Sequence, residues 1–180
     1  MRLPEMLYRC VALVAAACLC LHAQPARAGC LDDVEQGHLV GAGRLCLFGF
    51  CLYEAQLWGA GAPASFALPF ALRLTYEVHV KRARLVSTGL DEIRRLAGAP
   101  IPTPILSEWS EDLERALPDV APGDTLCAVF LPRQGVRFYA NGKATAQIAD
   151  PAFARAFFGI WLDPGTRAPA LREQLLHGSR

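Results

Sequence analysis

The chain has 180 residues, with 18 Lys and Arg against 17 Asp and Glu and a formal charge of +1. That near-neutral balance removes the electrostatic case for nucleic acid as a partner, and the basic residues that gather at Lys81, Arg82 and Arg84 read as a solvated strand-to-helix corner. A hydrophobic fraction of 53% is enough for a real core.

Residues 1–28 read as a cleavable leader. Arg2 and Arg9 make a positive start, Cys10 to Ala23 form an apolar run, and Ala26-Arg27-Ala28 offers small residues at both positions a signal peptidase reads. A membrane-spanning helix needs about 20 apolar residues. This run is shorter and no comparable one follows, so no membrane span is expected after cleavage. The expectation is one domain, 29–180, in the periplasm or outside the cell, where disulfides persist. Losing Arg2, Arg9, Arg27 and Glu5 takes the formal charge from +1 to −1. Cys10, Cys18 and Cys20 leave with the leader, and Cys30, Cys46, Cys51 and Cys127 remain.

His38 to Leu47 and Phe50 to Trp58 read as strands broken at Gly49. Phe70 to Val80 alternates, with Leu72, Leu74, Tyr76 and Val78 on one parity and Arg73, Thr75, Glu77 and His79 on the other, as in a half-solvated antiparallel strand. Thr88 with Asp91 resembles a capping box, which predicts a short helix through Leu90 and Ile93 to near Gly98. Thr103-Pro104 offers an N-cap and a first-turn proline, and Leu106, Trp109, Leu113 and Leu117 build one apolar helical stripe. Thr125 to Leu131, Gly135 to Ala140 and Lys143 to Ile148 read as strands, the last two joined by an Asn141-Gly142 hairpin turn. Asp150-Pro151 starts a helix with Phe153, Phe157, Ile160 and Trp161 on one face, and a last helix runs near Pro169 to Leu176. The fold class is α+β, a large antiparallel sheet covered on one face by helices.

The string Gly41 to Trp58, with its Leu52-Tyr53 pair followed by Ala55, resembles the glycine-flanked strand pair of chalcone isomerase-like proteins. Gly123-Asp124 before a strand, the Asn-Gly hairpin, and the stretch Pro151 to Thr166 are similar to the exported bacterial branch of that family. The resemblance implies an open-faced β-sandwich with an apolar cleft between sheet and helices. In the plant enzymes an arginine, a threonine, a tyrosine and an asparagine around the cleft assist addition of a phenolate to an enone. Here the arginine is Arg44, one residue early, and a shift of one can turn a strand side chain to the other face. The second strand has no matching threonine, and the helix Pro104 to Leu117 carries neither tyrosine nor asparagine, with Trp109 at its middle. The family reaction is not expected.

Little other chemistry is visible. His38, His79 and His177 lie far apart without ligand spacing, so no metal and no cofactor is expected. Gly41-Ala42-Gly43 is no dinucleotide fingerprint, because Cys46 stands where a glycine is needed and a strand follows. Three readings follow. In the first, the domain binds an amphipathic small molecule such as a fatty acid, with Arg44, Tyr53, Tyr76 and Trp109 as candidate contacts. In that reading Arg44 or Tyr53 meets the polar head; the plainer alternative makes Arg44 a solvated strand end and the aromatic stripe simply core. The second reading is a lyase-type isomerase of unknown substrate. The third is a structural or partner-binding envelope protein with a filled core. The oligomeric state stays open. A tight reversal at Phe48-Gly49 puts Cys46 opposite Cys51, within disulfide reach. A kink there instead would separate the two sulfurs, and Cys30 with Cys127 is an independent candidate.

Overall fold

The computed structural model describes residues 29–47, 49–60 and 66–178. The leader lies outside the described residues, as does Phe48. Among those described, six strands form one antiparallel sheet in sequence order: β1 (His38–Leu47), β2 (Phe50–Gly59), β3 (Phe70–Tyr76), β4 (Thr125–Leu131), β5 (Gly135–Ala140) and β6 (Lys143–Ile148). Helices α1 (Arg82–Leu96) and α2 (Thr103–Ala116) interrupt the meander after β3, and α3 (Pro151–Leu162) and α4 (Pro169–His177) follow β6. No helix of the described residues is long and apolar enough to cross a membrane.

Period-two alternation decides the two faces. Leu72, Leu74 and Tyr76 of β3, Leu126, Ala128 and Phe130 of β4, and Phe138 of β5 share one core with Val86, Ile93, Leu113, Phe153 and Phe158 of the helices. Ala71, Cys127, Val129 and Tyr139 point the other way and make a smaller cluster with Cys30 and Val34. A short 3-10 turn, Cys30–Asp33, lies over that second cluster, and the Cys30–Cys127 disulfide pins it to β4. Asp33 adds a carboxylate that accepts from Arg137 Nη1 at 2.9 Å and from the Tyr139 hydroxyl. The result is α+β, with helices on one face and a thin N-terminal cover on the other.

Local chemistry explains the sharp turns. Asn141 and Gly142 both hold positive φ, 49° and 74°, the backbone of a primed two-residue turn, and Ala140 pairs with Lys143 across it. Asp150 caps α3, its Oδ1 accepting from the amides of Ala152 (2.7 Å) and Phe153 (3.1 Å). In the β1–β2 hairpin Leu47 pairs with Phe50 and Cys46 with Cys51, next to a register shift between Leu45 and Cys46. A disulfide joins Cys46 to Cys51, with Cα atoms 3.8 Å apart. Gly41 and Gly43 allow α4 to lie on β1: a Cβ on Gly41 would collide with the backbone carbonyl of Gln174, and one on Gly43 with its side chain.

Three elements differ from the sequence expectation. β3 ends at Tyr76 instead of Val80, because Tyr76 closes backbone hydrogen bonds with Gly123 and Asp124 and the chain then leaves the sheet; Val80 returns only as a bridge to Val120. α1 starts at Arg82, not near Thr88. Its cap comes from far along the chain: the Asp119 carboxylate accepts from the Arg82 amide and from Lys81 Nζ, each at 2.8 Å. Thr103 is inside α2, whose N-cap is Pro102.

Candidate functional site

The core-facing side chains change size along the strands. β3 presents Phe70, Leu72 and Leu74, paired with Phe130, Ala128 and Leu126 of β4. At the first pair aromatic rings fill the space under the helices. Phe70 stacks on Phe130 at 5.0 Å, and Phe158 meets both edge-on at 4.8 and 5.8 Å. Beyond it the facing residues are Ala128 and Leu126, smaller than the rings and part of the cavity lining. There a cavity of about 620 Å³ opens among Leu52, Leu74, Leu85, Phe157 and Ile160. That volume lies within the roughly 300–1,000 Å³ typical of small-molecule sites.

Two phenols and one hydroxyl supply the interior polarity, and the hydroxyl, that of buried Thr166, is already spent: it donates to the Ile160 carbonyl at 2.7 Å and accepts from the Ala168 amide. Tyr53 of β2 pairs in register with Tyr76 of β3, and their rings meet edge-on at 5.6 Å. The Tyr53 hydroxyl accepts from Trp161 Nε1 at 2.9 Å, which leaves its own proton free for a ligand acceptor. Burial pushes the Tyr53 phenol up to about 12, with the Trp161 hydrogen bond working in the opposite direction. Burial raises Tyr76 as well, helped by the charge Tyr53 would carry. Both therefore stay neutral donors at physiological pH. At the mouth stand Arg84, Thr88, Glu92 and Arg167. Glu92 is paired with Arg167 at 3.0 Å and with Arg95 at 2.8 Å. The Arg84 side chain has no ion-pair partner among the described residues. No group of three or more His, Cys, Asp or Glu among the described residues is arranged to hold a metal ion.

Of the four candidate contacts, Tyr53 and Tyr76 line this cavity and come together. Arg44 does not. It stands opposite Glu54 in the ladder, while Tyr53 and Ala55 belong to the helix-side core, so alternation sends Arg44 to the other face. There its Nε donates to Glu77 Oε1 at 2.9 Å, and that bond raises the guanidinium pKa. Trp109 also lies outside the cavity lining. It is buried against Phe153 at 5.4 Å, and its Nε1 donates to Asp150 Oδ2 at 2.9 Å, which makes it a link between α2 and the start of α3. Cys46 and Cys51 close the hairpin whose residues Leu45, Leu47 and Leu52 form one wall. The wall given by α1 (Leu85, Thr88, Gly89 and Glu92) is missing from the sequence candidates: Leu85 precedes the helix expected from Thr88, and the other three lie at or within that helix but carry no motif. Its signal was spacing: positions 85, 88, 89 and 92 share one helical face.

An antiparallel sheet covered by a single helix layer, with an apolar cavity between the two, defines an open-faced α+β domain. The model of the family described as chalcone isomerase-like matches residues 47–177, and the chain belongs to that family. An uncharacterized protein of Haemophilus influenzae is 31% identical over 108 residues, covering 60% of this chain and 52% of the relative. The match thus spans about half of that relative's length. The crystal structure of an Arabidopsis thaliana fatty-acid binding protein shares the fold with a TM-score of 0.58 at 15% identity, covering 78% of this chain and 86% of that one.

Proposed function

We propose that this is a non-catalytic, exported domain of the chalcone isomerase-like family that holds an amphipathic small molecule such as a fatty acid. The observation that carries the reading is the cavity of about 620 Å³, apolar along its length and hydroxyl-bearing at Tyr53 and Tyr76. An acyl tail would lie between the sheet leucines and α1 and α3. An oxygen of the head would accept from one or both phenols, since Arg44 is on the other face. A filled-core structural role fits such a cavity poorly. Catalysis by the family route lacks its groups: α2 brings no tyrosine or asparagine, and β2 no matching threonine. Export to the periplasm or beyond rests on the leader together with two disulfides that use all four remaining cysteines. The exported bacterial branch of the family is the placement these features support.

The test is calorimetric titration and thermal shift with a long-chain fatty acid. Wild type should bind and melt higher. Ala128→Phe, which puts a ring where the strand leaves room, should fold and lose binding. Tyr53→Phe should weaken binding by about 0.5–1.5 kcal/mol, the net range for one neutral hydrogen bond. Arg44→Ala should leave affinity unchanged. No melting shift at high micromolar ligand, or equal binding by Ala128→Phe, refutes the reading.

A further inference from the structure

The rim of the cavity carries a second feature. Five large apolar side chains of the described residues are exposed: Leu39, Leu47, Phe50, Leu68 and Ile105. Leu47 and Phe50 differ from the rest because they are a register pair at the tip of the β1–β2 hairpin, exposed by 50% and 76%. Leu47 also lines the cavity together with Leu45 and Leu52, so the exposed pair at the tip adjoins an apolar part of the lining. Across the mouth is the first turn of α1, where Arg84 is exposed, lines the cavity and has no ion-pair partner among the described residues. Beside it, Lys81 shares Asp119 with the Arg82 amide, and the Arg82 guanidinium donates only to the Glu114 carbonyl at 3.3 Å. Asp119 thus answers Lys81 alone among these three side chains, and Glu92 is taken up by Arg95 and Arg167, which leaves the Arg82 and Arg84 guanidinium groups without a carboxylate among the described residues.

We propose that this juxtaposition, an apolar hairpin tip facing a cationic helix start across the cavity mouth, seats the mouth on an anionic lipid bilayer. Apolar side chains that enter the acyl boundary beside basic residues at the headgroups are what an anionic surface selects. A second protein copy fits less well, since one exposed residue pair is far short of the roughly 1,000 Å² a stable interface needs. The Cys46–Cys51 link, one pair below the tip, holds the two strands together and spares the tip the ordering cost of insertion. Docking would let a poorly soluble ligand pass between bilayer and cavity without crossing water. The proposal goes beyond the ligand reading and stands on the rim alone.

Phe50→Trp puts a fluorophore at the tip, and its difference spectrum from wild type reports that position whatever residues 1–28 contribute. With phosphatidylcholine vesicles containing phosphatidylglycerol the difference emission should shift to the blue and be quenched by brominated acyl chains. Vesicles of phosphatidylcholine alone should give a weak signal. In sedimentation with the anionic vesicles, Phe50→Ser should lower partitioning at least about tenfold, in keeping with loss of a buried aromatic side chain. Arg84→Ala should lower it about fivefold, the share of one cation near such a surface. Fatty-acid affinity measured in solution should be unchanged in Phe50→Ser, which separates failure of docking from failure of ligand binding. No blue shift, equal response to neutral vesicles, or a concentration-dependent dimer that Phe50→Ser dissociates would each overturn the proposal.

Discussion

Replacing Trp109 by Phe separates a structural tryptophan from a ligand contact. Trp109 is 6% exposed, and its indole donates at 2.9 Å to the same Asp150 carboxylate that caps α3. Phe would keep the edge contact with Phe153 but leave Asp150 Oδ2 without its donor. A hydrogen bond to a charged group contributes about 1.5–3 kcal/mol, and the space left by the smaller ring adds about 1 kcal/mol. The expected loss is about 3 kcal/mol, a melting shift of roughly 6–12 °C for a domain of this size. Denaturant unfolding of Trp109→Phe, Asp150→Asn and the double variant isolates the pair, because the packing loss cancels in the cycle. The coupling should be about 1.5–3 kcal/mol. A coupling under about 0.5 kcal/mol, within the additivity expected of independent sites, would refute the link. So would weaker ligand binding by a fully folded Trp109→Phe.

Gly41→Ala should destabilise by about 1–3 kcal/mol in urea, because the new Cβ meets the Gln174 and Leu175 backbone of α4. Gly89→Ala, with open space around its Cβ, should stabilise α1 by up to about 1 kcal/mol. Replacing Cys30 and Cys127 together by Ser removes a link across 97 residues, and the chain-entropy model puts the loss near 4.7 kcal/mol. The Cys46–Cys51 pair, separated by 5, should cost about 2 kcal/mol by the same model, so unfolding of the two double variants should rank them in that order. Stability should also fall in strong alkali. Unfolded tyrosines ionise near pH 10, whereas Tyr53 keeps its proton to about 12, so between those values the unfolded state releases a proton the native state retains. Tyr53→Phe should flatten the wild-type decline measured from pH 9 to 11, and an unchanged slope would count against the burial of that phenol.

What could be read from the sequence divides by range. β4, β5 and β6 were legible to the residue because their boundaries rest on local chemistry, Asn141-Gly142 above all. The α3 start was legible for the same reason, since Asp150 caps amides two and three residues on. The α1 start was not, because its capping carboxylate, Asp119, is 37 residues from Arg82. Arg44 shows a subtler limit. Strand parity correctly warned that a one-residue shift could turn it away, but only the Arg44–Glu54 pairing places it on the face opposite Tyr53. Trp109 sat on an apolar helical stripe, which could not reveal that its polar edge reaches Asp150, 41 residues away. The hairpin disulfide depended on whether Phe48-Gly49 reverses the chain, and Gly49, with φ of 86°, stands where β1 turns back into β2.

The cavity itself follows from the same register. Where the sheet and helices meet closely the interior is packed to the density of organic crystals, and the cleft of about 620 Å³ lies where the facing side chains are smaller. The sheet shows how the filled alternative is reached: Phe70 opposite Phe130 leaves no gap, and Ala128 opposite Leu72 does. A larger residue at Ala128 would extend the ring cluster into the gap. The chain instead keeps small and aliphatic side chains around Tyr53 and Tyr76. Stability is drawn from elsewhere: from the aromatic cluster at the closed end, from the long-range Cys30–Cys127 link, and from the staple in the hairpin that walls the open end. The ring cluster lies beyond the cleft and the Cys30–Cys127 link on the other face of the sheet, so the cleft walls can stay small and aliphatic without loss of the fold. A bound acyl chain would add contacts to the cleft walls, so the liganded form should be the more stable one by mass action alone.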